Sequence, residues 1–137
     1  QYKKRHVDDS TYADVSNAVC AASVTTASEL DAKALVVPTL TGSTAKLISK
    51  YRPKTDIYAM SPSQATVRQM MLLWGVTPIW ARRADTTDEL FDSSLDELRS
   101  RGVVEKGDLC VITAGVLSRL TRNQPVTTTN IMRVMEA

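Results

Sequence analysis

A hydroxyl-rich turn is the segment of this 137-residue chain whose residue types best suit chemistry. The turn lies between an apolar run at residues 34–37 and a helical segment, and its candidate ligands are Thr39, Thr41, Gly42, Ser43 and Thr44. The first backbone N–H groups of a helix lack intrahelical partners, and the helix dipole favours negative charge at that end. Amides and hydroxyls in this arrangement donate to phosphate oxygens, so the turn predicts a phosphate-binding site.

The sequence of the turn differs from the two common phosphate-binding fingerprints, but it does not identify the ligand. It matches neither G-x-G-x-x-G, the dinucleotide fingerprint, nor G-x-x-x-x-G-K-[ST], the nucleoside triphosphate fingerprint. A phosphate group on another kind of ligand is what remains. An equally weighted alternative is that Thr41 or Ser43 only caps the helix that follows.

A second segment, residues 115–130, follows the predicted fourth strand. Ligands of open parallel sheets bind beyond the carboxyl ends of the strands, so this segment and the turn are expected at one edge. Arg119, Arg122, Thr127 and Thr128 are predicted to form a second loop that adds charge and hydroxyls to the same ligand. The alternative is a solvated loop with incidental arginines.

Catalytic constellations are poorly represented. His6 is the single histidine and lies in the charged N-terminal stretch, so Ser/His/Asp, Cys/His and zinc sites are not predicted. The carboxylate pairs Asp88/Glu89 and Asp96/Glu97 fall on the polar face of a predicted helix, where a solvated surface is the favoured interpretation. We therefore predict no catalytic residue, metal or cofactor in this domain.

Net charge, hydropathy and cysteine usage limit the partners and the cellular compartment that the sequence predicts. A net charge of +2 does not favour nucleic acid as a partner, and no apolar run approaches the roughly 20 residues that cross a bilayer. Cys20 and Cys110 lie far apart in apolar segments, which predicts buried reduced thiols and a cytoplasmic location. The charged start without an initiator methionine predicts that residues 1–9 are a mobile lead-in from a preceding domain.

The elements that position these residues alternate between strands and helices. Strands are predicted at residues 34–37, 57–60, 77–80 and 109–113, with an edge strand at 131–135. Short links between such elements predict right-handed crossovers and a parallel sheet with helices on both faces. No linker divides the chain, so residues 1–137 are predicted to form one α/β domain.

Helical periodicity and capping residues predict which helix faces turn inward. In the first helix the predicted face is spaced by three and four, as Tyr12, Val15, Val19, Ala22 and Thr26. The third helix is predicted to begin with a Ser61 cap and Pro62 in its first turn. Its predicted inward face is Val67, Met70, Met71 and Trp74.

Four blocks of sequence resemble the C-terminal domain of pyruvate kinase. In chain order they are ALVVPTLTGSTAKLISKYRPK at 34–54, ATVRQ at 65–69 with WGVTP at 74–78, KGD at 106–108, and TTNIMRV at 128–134. Their order and spacing match the family over nearly the whole chain. The resemblance implies a three-layer sandwich: a mostly parallel five-stranded sheet, its last strand antiparallel, with helices on both faces.

The resemblance also implies a function. In the family this domain carries an effector site and one subunit interface of a homotetramer. The active site, with its magnesium and potassium ions, lies on a separate catalytic barrel domain and a lid domain. The isolated chain is therefore expected to have no enzyme activity, whereas its parent would be a phosphotransferase of glycolysis.

The family's effector ligands map onto the five residues named above for the turn, which there hold the phosphate of fructose 1,6-bisphosphate or of another phosphorylated regulator. Leu40 replaces the lysine of the animal forms that respond to fructose 1,6-bisphosphate, and residues 86–101 lack the family's tryptophan and arginine pair. Residues 116–125 replace a short Gly-rich effector loop. Either Arg119 and Arg122 restore the missing charge, or the site is vestigial.

Three hypotheses from different classes follow. The first is a regulatory domain of pyruvate kinase that binds a phosphorylated effector. The second is a purely structural oligomerisation module with a vestigial effector site. The third, an independent small enzyme, is weakened by the dispersed carboxylates. Binding of a phosphorylated ligand separates the first two, and turnover by the chain alone would support the third.

Overall fold

The computed structural model describes residues 9–115 and 129–137. Over these residues the chain forms, in order, α1 Asp9–Glu29, β1 Ala34–Pro38, α2 Ser43–Lys50, β2 Ile57–Ser61, α3 Gln64–Met70, β3 Val76–Trp80, α4 Thr87–Ser100, β4 Leu109–Gly115 and β5 Thr129–Glu136. The predicted lead-in at residues 1–9 lies outside the described residues except for Asp9, where α1 begins.

The strands form one sheet in the order β3-β2-β1-β4-β5. Strand β1 pairs in parallel with β2 on one side and with β4 on the other, so that Val36 lies between Tyr58 and Ile112. Strand β5 is antiparallel to β4 and lies at the edge of the sheet. The predicted α/β fold with a mostly parallel sheet and an antiparallel last strand is confirmed.

Two apolar cores lie on opposite faces of the sheet. Leu35 and Val37 of β1 pack in a cluster that contains Cys20 of α1, Ile48 of α2 and Met70 of α3. Ala34 and Val36 of the same strand belong to a second cluster, which contains Phe91, Leu95 and Leu98 of α4. Successive side chains of a strand point to opposite faces, so β1 contributes to both cores. The predicted placement of helices on both faces is confirmed.

The predicted inward face of α1 is wrong, because the buried residues lie one position later in the sequence than predicted. The buried residues of α1 are small and follow the same helical spacing, as Ser16, Cys20, Ser23 and Ala27, whereas Val15 is exposed. Helix α1 packs on β4 and β5. Small side chains let the helix backbone approach the sheet closely, and the Ser23 hydroxyl donates to the Val19 carbonyl at 2.8 Å, so its burial leaves no unpaired donor.

The predicted start and inward face of α3 are also corrected. The N-cap is Ser63, whose Oγ accepts the Thr66 N–H at 3.2 Å, and Ser61 is the last residue of β2. The helix ends at Met70, so Met71 and Trp74 follow it in a turn and are 65% and 48% exposed. The predicted face continued the helical spacing beyond Met70, so it included two side chains that do not belong to the helix.

Two buried threonines permit a matched test of hydrogen-bond energetics. Thr113 of β4 is fully buried and its hydroxyl has no partner among the described residues, whereas the Thr66 hydroxyl donates to the Leu40 carbonyl at 2.9 Å. Thr113→Val should raise the free energy of unfolding by about 1 kcal/mol, because it removes an unsatisfied buried group. Thr66→Val should lower it by about 1 kcal/mol, because it removes the shorter of the two hydrogen bonds to the Leu40 carbonyl and leaves only the 3.4 Å bond from Ser61.

Urea denaturation of both variants measures the two effects, read as shifts of the midpoint at an unchanged slope. A loss of stability in Thr113→Val as large as that in Thr66→Val would contradict the assignment of Thr113 as the unsatisfied member of the pair.

Candidate functional site

A cavity of about 750 Å³ lies where the four parallel strands end. Its walls come from the carboxyl end of every one of them: Thr39 follows β1, Ser61 closes β2, residues 81–87 follow β3 and Gly115 closes β4. We call it the strand-end cavity. The cavity also contacts Ser93 and Ser94 of α4, so it extends onto the face of the sheet that α4 covers.

The strand order explains why a cavity forms at this edge. The chain leaves β1 through α2 to reach β2, whereas it leaves β3 through α4 to reach β4 on the other side of β1. Because α2 and α4 pack on opposite faces, the connections diverge between β1 and β4. Such switch points, beyond the carboxyl ends of the strands, are where open α/β sheets bind ligands.

Hydrogen bonds within the turn and to the Leu40 carbonyl hold the 39–44 turn in place. The Gly42 N–H donates to Thr39 Oγ1 at 3.0 Å, and the Leu40 carbonyl accepts the Thr66 hydroxyl of α3. The Ser61 hydroxyl donates to the same carbonyl at 3.4 Å. Gly42 has a φ of +87°, a left-handed conformation that glycine adopts without steric cost. The turn is therefore tied to β2 and α3 rather than only to its own helix.

The N-cap residue of α2 is Gly42, which has no side chain and makes no side-chain cap hydrogen bond. The Thr41 hydroxyl, one residue earlier, accepts the Ser43 N–H at 3.4 Å. It also donates to Ser43 Oγ at 3.1 Å, which brings the two hydroxyls together beside the first turn of the helix. These contacts are compatible with both interpretations of the turn, a helix cap and an anion site.

The structure brings the predicted turn residues to the cavity in part. Thr39 and Thr44 line the strand-end cavity together with Leu40, and both threonines are buried. Thr41 is exposed and Ser43 half-buried, in the same turn but not in the wall of the cavity. A ligand held by all of the predicted residues would therefore reach from the cavity to its mouth.

The predicted second loop lies outside the described residues, namely Arg119, Arg122, Thr127 and Thr128. The residues that flank it are described on either side. Gly115 lines the cavity, and the Thr129 hydroxyl lies 2.7 Å from the hydroxyl of Thr44. The chain therefore leaves β4 and returns to β5 directly beside the first turn of α2.

Two arginines missed by the sequence analysis line the cavity. Arg82 and Arg83 follow β3, are exposed, and have no ion-pair partner within the described part of the chain. Asp85 lines the same wall, so two arginines and one aspartate leave this segment with a charge of +1. Their position after a predicted strand was the available signal, because the carboxyl ends of parallel strands meet at one edge.

A buried group of polar side chains joins Thr44 to helix α1. The Thr129 N–H donates to Ser16 Oγ at 3.0 Å, and the Thr129 hydroxyl lies 2.7 Å from that of Thr44. Burial raises the pKa of the nearby Cys20 thiol from its ordinary value of 9.0 to about 11, although the Thr129 side chain opposes the rise. Cys20 is therefore a neutral S–H group at physiological pH.

The described residues contain no group of three His, Cys, Asp or Glu side chains that could hold a metal ion. Cys20 and Cys110 are both free thiols and both buried. Across residues 9–115 and 129–137, every helix is too short or too polar to span a bilayer.

Comparison with known proteins agrees with this architecture. A family model described as the pyruvate kinase alpha/beta domain matches residues 17–135. The chain belongs to this family. It is 39% identical over 121 residues to a pyruvate kinase of Clostridium acetobutylicum, a match that covers 88% of this chain and 24% of that protein.

A pyruvate kinase of Staphylococcus aureus strain USA300 is 40% identical over 135 residues, which cover 97% of this chain and 22% of the relative. The resemblance to the C-terminal domain of pyruvate kinase is therefore confirmed. The chain spans about a quarter of the length of these curated relatives.

The raised pKa of Cys20 predicts how stability depends on alkaline pH. The unfolded thiol loses its proton near pH 9.0 and the folded one near pH 11, so within that window the unfolded state binds fewer protons. The free energy of unfolding should therefore fall as the pH rises through the window. Denaturation of the unaltered chain and of Cys20→Ala at several pH values measures this, and an equally steep fall in Cys20→Ala would contradict the assignment.

Proposed function

We propose that this chain is the regulatory domain of a pyruvate kinase and that its strand-end cavity binds a phosphorylated effector. The observation that carries the proposal is the N-terminus of α2, which begins after the glycine N-cap Gly42 and lies beside a cavity lined by Thr39 and Thr44. Helix amides and buried hydroxyls are strong donors to a phosphate group that enters such a site.

The charge around the cavity supports an anionic ligand with more than one polar end. Arg82 and Arg83 lie on the wall formed after β3, whereas the 39–44 turn lies on the wall formed after β1. When a phosphate group binds at the turn, Arg82 and Arg83 can bind a second anionic or hydroxyl-bearing part of the same molecule. A sugar phosphate or a nucleoside monophosphate has this form.

The side chains of the 39–44 turn also restrict the kind of effector that the cavity can bind. Leu40, which stands in the position of a lysine in the animal forms, is 41% exposed and contributes apolar surface to the cavity. The turn therefore supplies hydroxyls and amides but no cationic side chain between residues 39 and 44. A ligand with a single phosphate at this turn matches that donor set better than one that needs a lysine there.

The proposal includes two protein partners. In a parent enzyme the domain would contact the catalytic barrel domain, which would hold the magnesium and potassium ions, and a second subunit would pack on the domain as part of a homotetramer. Strand β5 lies at the edge of the sheet and exposes Met132 and Val134, which supports a role in assembly. The two buried free thiols support a cytoplasmic location.

The same edge strand favours the second candidate function, a structural oligomerisation module with a vestigial effector site. In that case the 39–44 turn would have no ligand, and the domain would contribute only contact surface. Binding of a phosphorylated ligand distinguishes the two candidates.

Calorimetry with a ligand panel tests the effector site: fructose 1,6-bisphosphate, glucose 6-phosphate, ribose 5-phosphate, AMP and inorganic phosphate. We expect saturable binding of one phosphorylated ligand. The double variant Thr41→Ala, Ser43→Ala should weaken it at least about tenfold, since a hydrogen bond to a charged group contributes about 1.5–3 kcal/mol.

The control variant is Ser100→Ala, whose exposed hydroxyl bonds the Glu97 carbonyl at the far end of α4. It should bind the ligand as the unaltered chain does. Unchanged affinity in the double variant would overturn the assignment of the turn, and no heat from any ligand would favour the structural module.

A second double variant tests the arginine wall. Arg82→Ala with Arg83→Ala should lower the affinity for the sugar phosphate or nucleoside monophosphate that the panel identifies about threefold and that for inorganic phosphate less, because exposed charge pairs contribute about 0.2–1 kcal/mol. Arg99→Ala with Arg101→Ala removes the same charge from the other end of α4, where both arginines form ion pairs. Equal losses in the two double variants would show that only net charge matters.

A further inference from the structure

Three carboxylates lie where α4 begins, and one of them, that of Asp85, lines the strand-end cavity. The Asp88 carboxylate lies 3.5 Å from the Arg133 guanidinium, and the Glu89 carboxylate accepts the Asp85 N–H at 3.2 Å. The Asp85 carboxylate has no hydrogen-bond or ion-pair partner among the described residues. It is therefore open to a ligand in the cavity.

Hydrogen bonds at the start of α4 hold Asp85 in the cavity wall. Thr86 is the N-cap of the helix, and its Oγ1 accepts the Glu89 N–H at 3.1 Å. The Glu89 side chain reaches back to the Asp85 N–H, as in a capping box displaced by one residue. The backbone of Asp85 is therefore fixed by the helix that follows it, although its side chain is exposed.

The wall after β3 combines donors with an acceptor. Arg82 and Arg83 line the cavity beside Asp85. A guanidinium group only donates hydrogen bonds, and an ionised carboxylate only accepts them. A hydroxyl group does both, so neighbouring hydroxyls of a sugar can satisfy the arginines and the aspartate together. A phosphate group offers acceptors to the arginines but is repelled by the carboxylate.

The same chemical rule separates ligands in dinucleotide sites, where a carboxylate binds the free hydroxyls of a ribose and an arginine accommodates a phosphate on that ribose. In the strand-end cavity the carboxylate and the arginines share one wall. The phosphate donors of the 39–44 turn lie on the other wall, which is formed after β1. The two walls therefore differ in the group that each can bind.

We propose that Asp85 is a specificity-determining residue of the strand-end cavity. Its carboxylate accepts hydrogen bonds from the hydroxyls of a sugar whose single phosphate binds at the 39–44 turn, and it disfavours a second phosphate at the wall after β3. The inference deepens the proposed function and rests on it, because it needs the phosphate at the turn. The ligand class is a phosphate monoester that carries free sugar hydroxyls.

Calorimetry on the full chain tests the proposal with matched pairs of ligands. The pairs are fructose 6-phosphate with fructose 1,6-bisphosphate, and glucose 6-phosphate with glucose 1,6-bisphosphate. The members of each pair differ only in the second phosphate, so the ratio of their affinities reports its effect. Inorganic phosphate reports on the 39–44 turn alone.

The informative variant is Asp85→Asn, which keeps the backbone N–H that bonds Glu89. The neutral amide is a weaker acceptor for a hydroxyl and gains donors to a phosphate. We expect affinity for the monophosphate of a pair to fall about threefold and affinity for the bisphosphate to rise about threefold, the size of effect typical of exposed charges. Binding of inorganic phosphate should change by less than either.

The control variant is Asp88→Asn, which removes the same charge from the first turn of α4 but outside the cavity wall. Because only the net charge changes near the site, it should raise the affinity for both members of a pair slightly and leave their ratio nearly unchanged. Opposite changes for the two members therefore distinguish a contact with the ligand from a general effect of charge.

The outcomes separate the inference from the proposed function. If Asp85→Asn leaves the ratio of affinities unchanged in both pairs, or changes it no more than Asp88→Asn does, the inference is wrong and the effector site stands. A rise in affinity for the monophosphates in Asp85→Asn would also overturn it. If neither the sugar phosphates nor inorganic phosphate bind the unaltered chain, the proposed function and the inference both fail.

Discussion

Strand β1 forms backbone pairs with a parallel neighbour on each side, and its residues are buried on both faces of the sheet. The two cores therefore share one strand through alternate side chains: Leu35 and Val37 belong to one core, and Ala34 and Val36 to the other. Burial on both sides requires every backbone group of the strand to be paired, because an unpaired N–H or C=O has no water to bond. The pairing of β1 also fixes where its carboxyl end lies. The turn that follows, the cavity beside it and the start of α2 all take their position from that end.

The two faces of the sheet are packed by different means. On the α4 side, large side chains such as Phe91 and Leu98 fill the space between the helix and the strands. On the α1 side, the helix presents the small residues Ser16, Cys20 and Ser23, and the hydroxyls of both serines are hydrogen-bonded. Buried polar groups specify position more sharply than apolar contacts do, because each requires a partner at a defined distance and angle. Thr129 therefore contacts both α1, through Ser16, and the start of α2, through Thr44.

Much of the candidate site could be read from the sequence because it is local. The turn, its hydroxyls and its place between a strand and a helix all lie within residues 34–50. Arg82 and Arg83 are harder to assign, because their signal is only their position after a predicted strand and they belong to no local ligand-binding pattern. They join the site only because β3 lies in the same sheet as β1, two positions away.

The sequence by itself determined the kinds and order of the elements, since hydrophobic period, caps and glycines act over a few neighbouring residues. It also determined membership of the family, because the matching blocks are continuous stretches of sequence. Tertiary structure decided which side chains of α1 are buried: Val15 and Ser16 are adjacent, and only the contact with β4 and β5 selects the smaller one. It likewise decided that Thr44 meets Thr129, 85 positions along the chain. Such pairs depend on strand order and register, which are set by packing over the whole molecule rather than by local preference.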